Sequence, residues 1–301
     1  MGPTAAGKTD AAIALAEQLP VDLISVDSAM VYRGMDIGTG KPDTKTLAKA
    51  PHALISIREP WETYSAADFA KEAAALLERS WDNARVPLLV GGTSLYFRAL
   101  LKGFAPLPQS APEIRLQLDE EIAREGIVAM HQRLTRCDPA TAARLHPNDT
   151  QRIQRAMEVI LVTGRPMSEL LRAEHQGVVA EALSVVVSPA ERAVLHERIG
   201  LRFDGMLEAG LVDEVRRLMT HPKIQRSLPA LRSVGYRQTW DYLAGDITLE
   251  LLPEKGKAAT RQLARRQLTW LRSESDAVWL DPTESDFSSR LANLVKQHLK
   301  L

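Results

Sequence analysis

The sequence predicts an α/β fold: a parallel sheet core, a helical insertion domain and a helical C-terminal region. Three observations predict it. Short apolar runs alternate with helical patterns through the first part of the chain. Gly2-Pro3-Thr4-Ala5-Ala6-Gly7-Lys8-Thr9 fits G-x-x-x-x-G-K-[ST] at every fixed position and opens a helix. Strand-like runs then stop, and return at Ala182–Val187 (ALSVVV). The core expected from these features is P-loop NTPase-like.

Taken in order, Gly7–Gln18 reads as a helix leaving the glycine loop, and Val21–Val26 (VDLISV) as a buried strand ending at Asp27 and Ser28. Ala53–Ile57 is a further short strand. Ser65–Ser80 is a helix, with Ser65 and Asp68 in capping-box spacing. Pro87–Val90 is a strand, and Gly91-Gly92-Thr93 turns into the next helix. Phe104–Pro112 holds three prolines and reads as a linker. The pattern is then helical and Arg-rich to about Gln176. After Ser188 it is almost wholly helical. The expected organisation is residues 1–105 as the first part of the core, 106–177 as the insertion and 178–301 as the second part with C-terminal helices.

A loop of this kind normally follows a buried strand, yet only Met1 precedes it. The first core strand is therefore expected to be missing. The expected reason is a start further upstream, with a short in-frame apolar run before Met1.

Composition is that of an ordinary soluble protein, 45% hydrophobic and 25% charged. Cys137 is the single cysteine, which excludes an internal disulfide and any multi-cysteine zinc module. A reducing, cytoplasmic setting follows as the expectation. No apolar run approaches a membrane span, so no membrane partner is expected. Net charge is zero. Charge alone therefore suggests no nucleic acid. The cations are unevenly made, however: between Lys102 and Lys223 all are arginines. Coding bias explains that pattern, and so does a need for forked, stacking cations.

In the phosphate loop, successive backbone N–H groups point at an anion and the helix adds its positive end. Gly2, Pro3, Thr4, Ala5, Ala6, Gly7, Lys8 and Thr9 are the expected diphosphate- or nucleotide-binding residues, ATP being the ordinary ligand. Lys8 supplies a full charge. The Thr9 hydroxyl is the candidate ligand for Mg2+. Asp27 and Thr93 each follow a strand end, where open α/β sheets bind ligands. Asp27 is a candidate proton acceptor, with a helix N-cap as its structural alternative. Thr93 has the same alternative.

Two basic helices stand out. Asn148–Val162 is expected to pack through Ile153, Met157, Ile160 and Leu161, leaving Gln151, Arg152, Gln154 and Arg155 exposed. Further on, Arg261, Arg265 and Arg272 share one helix face, flanked by Arg266 and Trp270. Such faces are commonly just solvated. Interleaved Gln and an aromatic also suit phosphate contact and base stacking.

GPTAAGKT, ISVDSAMVYRGMDIGTGKP, YSAADF, PLLVGGTSLYFRALL, HPNDTQRIQRAMEV, LRSVGYRQTWDYL and ATRQLARRQLTWLR occur in that order over nearly the whole chain. Together they resemble the bacterial tRNA dimethylallyltransferases, the tRNA isopentenyltransferases of the IPP transferase family. The resemblance implies transfer of a dimethylallyl group from dimethylallyl diphosphate to N6 of the adenine immediately 3′ of the anticodon, in tRNAs that read U-starting codons. It implies that the loop grips a prenyl diphosphate with Mg2+. Asp27 would take the amine proton, and Thr93 and Arg202 would complete the catalytic set, with Arg198 the less favoured arginine. Asp27, Ser28, Ala29, Met30 and Thr93 would line the adenine's entry. The anticodon stem-loop would be held by Arg115, by Gln151, Arg152, Ile153, Gln154 and Arg155, and by Arg232, Ser233, Val234, Gly235, Tyr236 and Arg237. Arg265, Arg266, Gln267, Leu268, Thr269, Trp270, Leu271 and Arg272 would complete that surface. Base and prenyl diphosphate would enter a channel from opposite ends. A monomer is the expected state.

The alternative is a P-loop small-molecule kinase, which shares loop, metal and carboxylate but needs neither basic helix. A prenyltransferase of free adenine nucleotides and an NTP-driven RNA-binding module rank lower. The first does not need the insertion. The second lacks a clear hhhhD strand end beyond Asp27.

Overall fold

The computed structural model describes residues 1–301 except 104, 106, 109, 173–176, 180 and 301. Three linker positions, Phe104, Pro106 and Gln109, thus lie outside the described residues. The chain divides into two compact units, Met1–Leu100 with Val179–Leu301, and Leu101–Val178.

The first stretch runs α1 (Lys8–Ala16), β1 (Val21–Val26), α2 (Thr44–Lys49), β2 (His52–Ala53), α3 (Ala66–Asp82), β3 (Val86–Gly91) and α4 (Ser94–Lys102). Then come α5 (Pro112–Glu125), α6 (Ile127–Cys137), α7 (Pro139–Ala142), α8 (Thr150–Thr163) and α9 (Met167–Leu170). The return to the first unit is β4 (Val185–Val187), α10 (Arg192–Glu208), α11 (Leu211–Met219), a 3-10 turn (Ala230–Arg232), α12 (Tyr236–Leu243), α13 (Leu251–Leu271), β5 (Val278–Leu280) and α14 (Phe287–Leu299).

β1 is buried at five of its six positions, four of them Val, Leu or Ile, as in the covered strands of parallel sheets. It pairs in parallel with β2 and with β3, in the order β2-β1-β3. The register sets Val26 opposite Gly91, so β1 and β3 end at one edge. β4 and β5 form a second parallel pair. Met1 lies along β4: its amine donates to the Val185 carbonyl at 2.7 Å, and Val187 N–H donates to the Met1 carbonyl at 2.9 Å. Met1 thus makes two ladder-type bonds to β4.

Apolar residues of α1, β1, β5 and α14 interlock over this sheet, with Leu15, Leu23, Leu280 and Leu291 all buried. The capping box of α3 forms as its spacing predicts. Ser65 Oγ accepts from Asp68 N–H at 3.1 Å, and Asp68 Oδ2 accepts from Ser65 N–H at 2.9 Å.

Three sequence expectations need correction. The strand over Ala53–Ile57 shrinks to His52–Ala53, because Leu54 and Ser56 adopt φ of 63° and 55° and turn the chain out of the ladder. The C-terminal region is not purely helical, since β5 pairs with β4. The strand begun at Ala182 starts at Val185.

In the second unit, α5, α6 and α8 enclose Leu118, Met130, Leu134, Ile153 and Met157. Leu161, expected in that core, is 37% exposed. Glu158 is buried beside the end of the linker. It accepts from Ser110 Oγ at 2.7 Å and Ala111 N–H at 2.8 Å, and pairs with Arg155 at 2.8 Å.

Candidate active site at the carboxyl edge of the sheet

The glycine loop closes on Gly7, whose φ of 89° turns the backbone into α1 with no side chain capping that helix. The first helical bond runs from Ala11 N–H to the Gly7 carbonyl, so the N–H groups of Lys8 and Thr9 point out of the helix end. Such an end attracts anions. Lys8 folds back, its Nζ donating to the Pro3 carbonyl at 2.6 Å. Burial, then the Arg202 charge, lowers the Lys8 ammonium to about 8, with Asp27 opposing the shift. Arg202 comes from α10. Burial lowers its pKa too, with Asp27 and Asp10 opposing. Two cations therefore share a partly dehydrated site.

Asp27 follows β1. Its Oδ1 accepts from Ala29 N–H at 2.8 Å and Met30 N–H at 3.2 Å, holding a tight turn. Oδ2 takes neither of these bonds. Thr93 follows β3, and its Oγ1 accepts from Ser28 N–H at 3.1 Å. The capping alternative is therefore partly realised: Asp27 caps a turn with one oxygen, and Thr93 braces that turn instead of capping α4.

Lys8, Thr9, Asp27, Thr93 and Arg202 all line one cavity of about 500 Å³. A second cavity of about 720 Å³ is lined by Ala5, Ala6 and Gly7 of the loop and shares Lys8, Thr9 and Arg202 with the first. Arg198 lines only the second. His52 also borders the first cavity. Its Nδ1 donates to the Ala50 carbonyl at 2.8 Å, so the buried Nε2 is left as an acceptor with no protein partner among the described residues.

Residues 30–274 match the IPP transferase family. The chain belongs to that family. A tRNA dimethylallyltransferase of Thiobacillus denitrificans is 56% identical over 299 residues, covering 99% of this chain and 96% of the relative. One from Ralstonia nicotianae is 51% identical over 307 residues, covering 100% and 95%. Among solved structures, a full-length tRNA isopentenylpyrophosphate transferase from Bacillus halodurans is similar with a TM-score of 0.72 at 36% identity, covering 99% of this chain and 95% of that one. A eukaryotic dimethylallyltransferase acting on tRNA gives 0.83 at 25% identity, covering 99% and 78%.

The family's RNA-facing expectations divide by burial. Arg232, Arg237, Arg265, Arg266 and Arg272 are exposed on the first unit, and Arg232 and Arg266 border the first cavity together with Ser233, Val234 and Gly235. Arg115, Gln151 and Arg152 are exposed on the second. Ile153 and Gln154 are not. Gln154 is buried and donates to Asp119 Oδ1 at 2.7 Å, while Arg155 is half-buried and donates to the Pro108 carbonyl at 2.6 Å. Tyr236 and Leu271 are buried, and Leu268 packs with the loop's Ala5 against the cluster of Leu195, Ile199 and Ala264. Trp270, expected to stack on a base, stacks on Phe97 with ring centroids 6.0 Å apart.

Gln267 has a role that sequence reasoning missed. Its Oε1 accepts from Thr4 N–H and its Nε2 donates to the Gly92 carbonyl, each at 2.9 Å. One amide on α13 thus ties the phosphate loop to the turn that carries Thr93. The only signal was its position directly after Arg265 and Arg266, which suggested RNA.

Proposed function

We propose that this protein transfers a dimethylallyl group from dimethylallyl diphosphate to N6 of the adenine immediately 3′ of the anticodon in tRNAs reading U-starting codons. The observation that carries this reading is the single cavity in which Lys8 and Arg202 face Asp27 and Thr93. A donor diphosphate fits the cation end and the loop's N–H groups. The adenine amine fits the Asp27 end.

An exocyclic amine is a weak nucleophile, because its lone pair is delocalised into the ring. A hydrogen bond to Asp27 Oδ2 localises that pair as the nitrogen attacks the first prenyl carbon. The carbon–oxygen bond to the diphosphate breaks, and the amine proton passes to Asp27. Charge grows on the departing pyrophosphate, where Lys8 and Arg202 are already in place. The turn through Ala29 and Met30 keeps the carboxylate aimed. Thr93 fixes that turn through Ser28.

Magnesium suits the Thr9 hydroxyl at the mouth of the loop. No cluster of three or more His, Cys, Asp or Glu able to hold a metal occurs among the described residues. The ion would therefore draw its remaining ligands from diphosphate oxygens and water, and would supply charge neutralisation.

The exposed arginines supply phosphate contacts for an anticodon stem-loop, and the target base leaves its stack to enter the cavity. No helix among the described residues is long and apolar enough to cross a membrane. The proposed setting is the cytoplasm, with the protein acting as a monomer. The test is mass spectrometry of an anticodon stem-loop after incubation with protein, magnesium and dimethylallyl diphosphate. A gain of one prenyl unit at that adenine is expected. An unmodified RNA, with phosphate transfer from ATP to a small molecule instead, would overturn the proposal in favour of a kinase.

A further inference from the structure

Arg202 is held by a loop, and that loop is held by a buried carboxylate. Arg202 Nη2 donates to the Thr39 carbonyl at 3.4 Å. Gly40 has φ of 63° and no room for a side chain, since a Cβ there would lie 1.8 Å from Arg202 Nη2. The segment Asp36–Lys41 is therefore a saddle for the guanidinium. It is pinned from the opposite direction by Glu214 of α11, which is 3% exposed. Glu214 Oε2 accepts from Asp36 N–H at 3.0 Å and Ile37 N–H at 2.8 Å. Oε1 accepts from Gly38 N–H at 3.2 Å and from the Tyr236 hydroxyl at 2.5 Å.

A carboxylate taking three consecutive backbone donors and a phenol has its acceptor capacity filled. Tyr236 closes the arrangement. Its ring abuts Gly38, where a Cβ would lie 2.5 Å from it. Burial and then the Glu214 charge push its hydroxyl far above the usual phenol range, so it stays a donor.

We propose that Glu214 and Tyr236 are positioning residues that set the Asp36–Lys41 loop, and through it place Arg202 on the diphosphate. This rests on the reading of Arg202 as a diphosphate ligand. It gives a function to two buried polar groups that line neither cavity themselves but back the residues that do. A pair serving stability alone would leave Arg202 unaffected when weakened.

The experiment is a double-mutant cycle read by calorimetric binding of inorganic pyrophosphate with magnesium. Tyr236→Phe keeps the ring against Gly38 and removes one donor to Glu214. Glu214→Gln is the stronger lesion, and Tyr236→Phe keeps the test readable if that variant does not fold. Tyr236→Phe is expected to weaken pyrophosphate binding about five- to tenfold, less than the full worth of one charge-assisted bond because the change reaches Arg202 through the loop. In an Arg202→Ala background the same change should have almost no further effect. An equal loss in both backgrounds, or a fall in thermal midpoint with pyrophosphate affinity intact, would overturn the proposal. Pyrophosphate binding does not require prenyl transfer, so failure of the proposed function and failure of this coupling are told apart.

Discussion

Gln267 Oε1 accepts the Thr4 amide proton at 2.9 Å across 263 residues of sequence. With its Nε2 on the Gly92 carbonyl, this side chain joins the donor-binding loop to the acceptor-side turn. Gln267→Glu removes the donor to Gly92 and sets a negative charge beside the anion cradle. Pyrophosphate affinity should fall at least about tenfold, or 1.4 kcal/mol. Gln267→Ala, which adds no charge, should lose less. Titration calorimetry of both variants checks the order.

Lys8 has a folded pKa of about 8, against an ordinary 10.5. A lowered lysine penalises the folded state fully below its folded pKa. The penalty fades as pH rises from about 8 to about 10.5, where the unfolded chain still holds the proton. Lys8→Met should therefore melt higher than its parent near neutral pH, with the gap closing toward about pH 10. Diphosphate binds the charged form, so the parent's pyrophosphate affinity should decline as pH rises through about 8. Melting curves and pyrophosphate titrations over that range check both halves.

Asp27→Asn keeps an oxygen to hold the Ala29 and Met30 amides, so the turn survives. It removes the proton acceptor. Turnover should fall about a hundredfold or more, the scale of general-base loss, while tRNA affinity stays close to the parent's. Single-turnover kinetics beside a filter-binding isotherm separates the two. Equal losses in both would remove Asp27 from the chemistry.

Arg152 and Gln154 sit two positions apart on α8 and should behave differently. Arg152, with its side chain 74% exposed, should lower tRNA affinity when replaced by Ala and flatten the salt dependence by about 0.7 to 0.9 of a slope unit. Arg265→Ala should do the same. Gln154→Ala should cost stability of about 0.5 to 1.5 kcal/mol, the net worth of its bond to Asp119, and leave the slope alone. Binding isotherms at several salt concentrations, with denaturant melts, give both readouts.

The contrast between these last two residues shows where sequence reading stops. β1 was legible to the residue, because a mostly β-branched and apolar run, VDLISV, bounded by Pro20 and Asp27 fits a strand in a parallel sheet. The box at Ser65 and Asp68 was legible because both its bonds are local. The glycine loop, Asp27 and Thr93 could be placed at one edge, since strand ends of a parallel sheet share it. Gln154 was not legible: a polar residue near a helix start reads as exposed until Asp119, 35 positions away, is known to meet it. Glu214 was hidden in the same manner, its three backbone partners lying 176 to 178 positions upstream. β5 has only three residues, too few for a periodicity to register.

The pairing of Lys8 with Arg202 has a consequence for the rhythm of turnover. Both cations stand ready before transfer and remain afterwards. The reaction converts a diphosphate ester into free pyrophosphate, which carries more negative charge. The cations that receive the donor's diphosphate thus also hold the pyrophosphate once transfer is over. Pyrophosphate left between them occupies the place of the next donor, and a neighbouring activity that hydrolyses pyrophosphate would clear it without ever touching this protein.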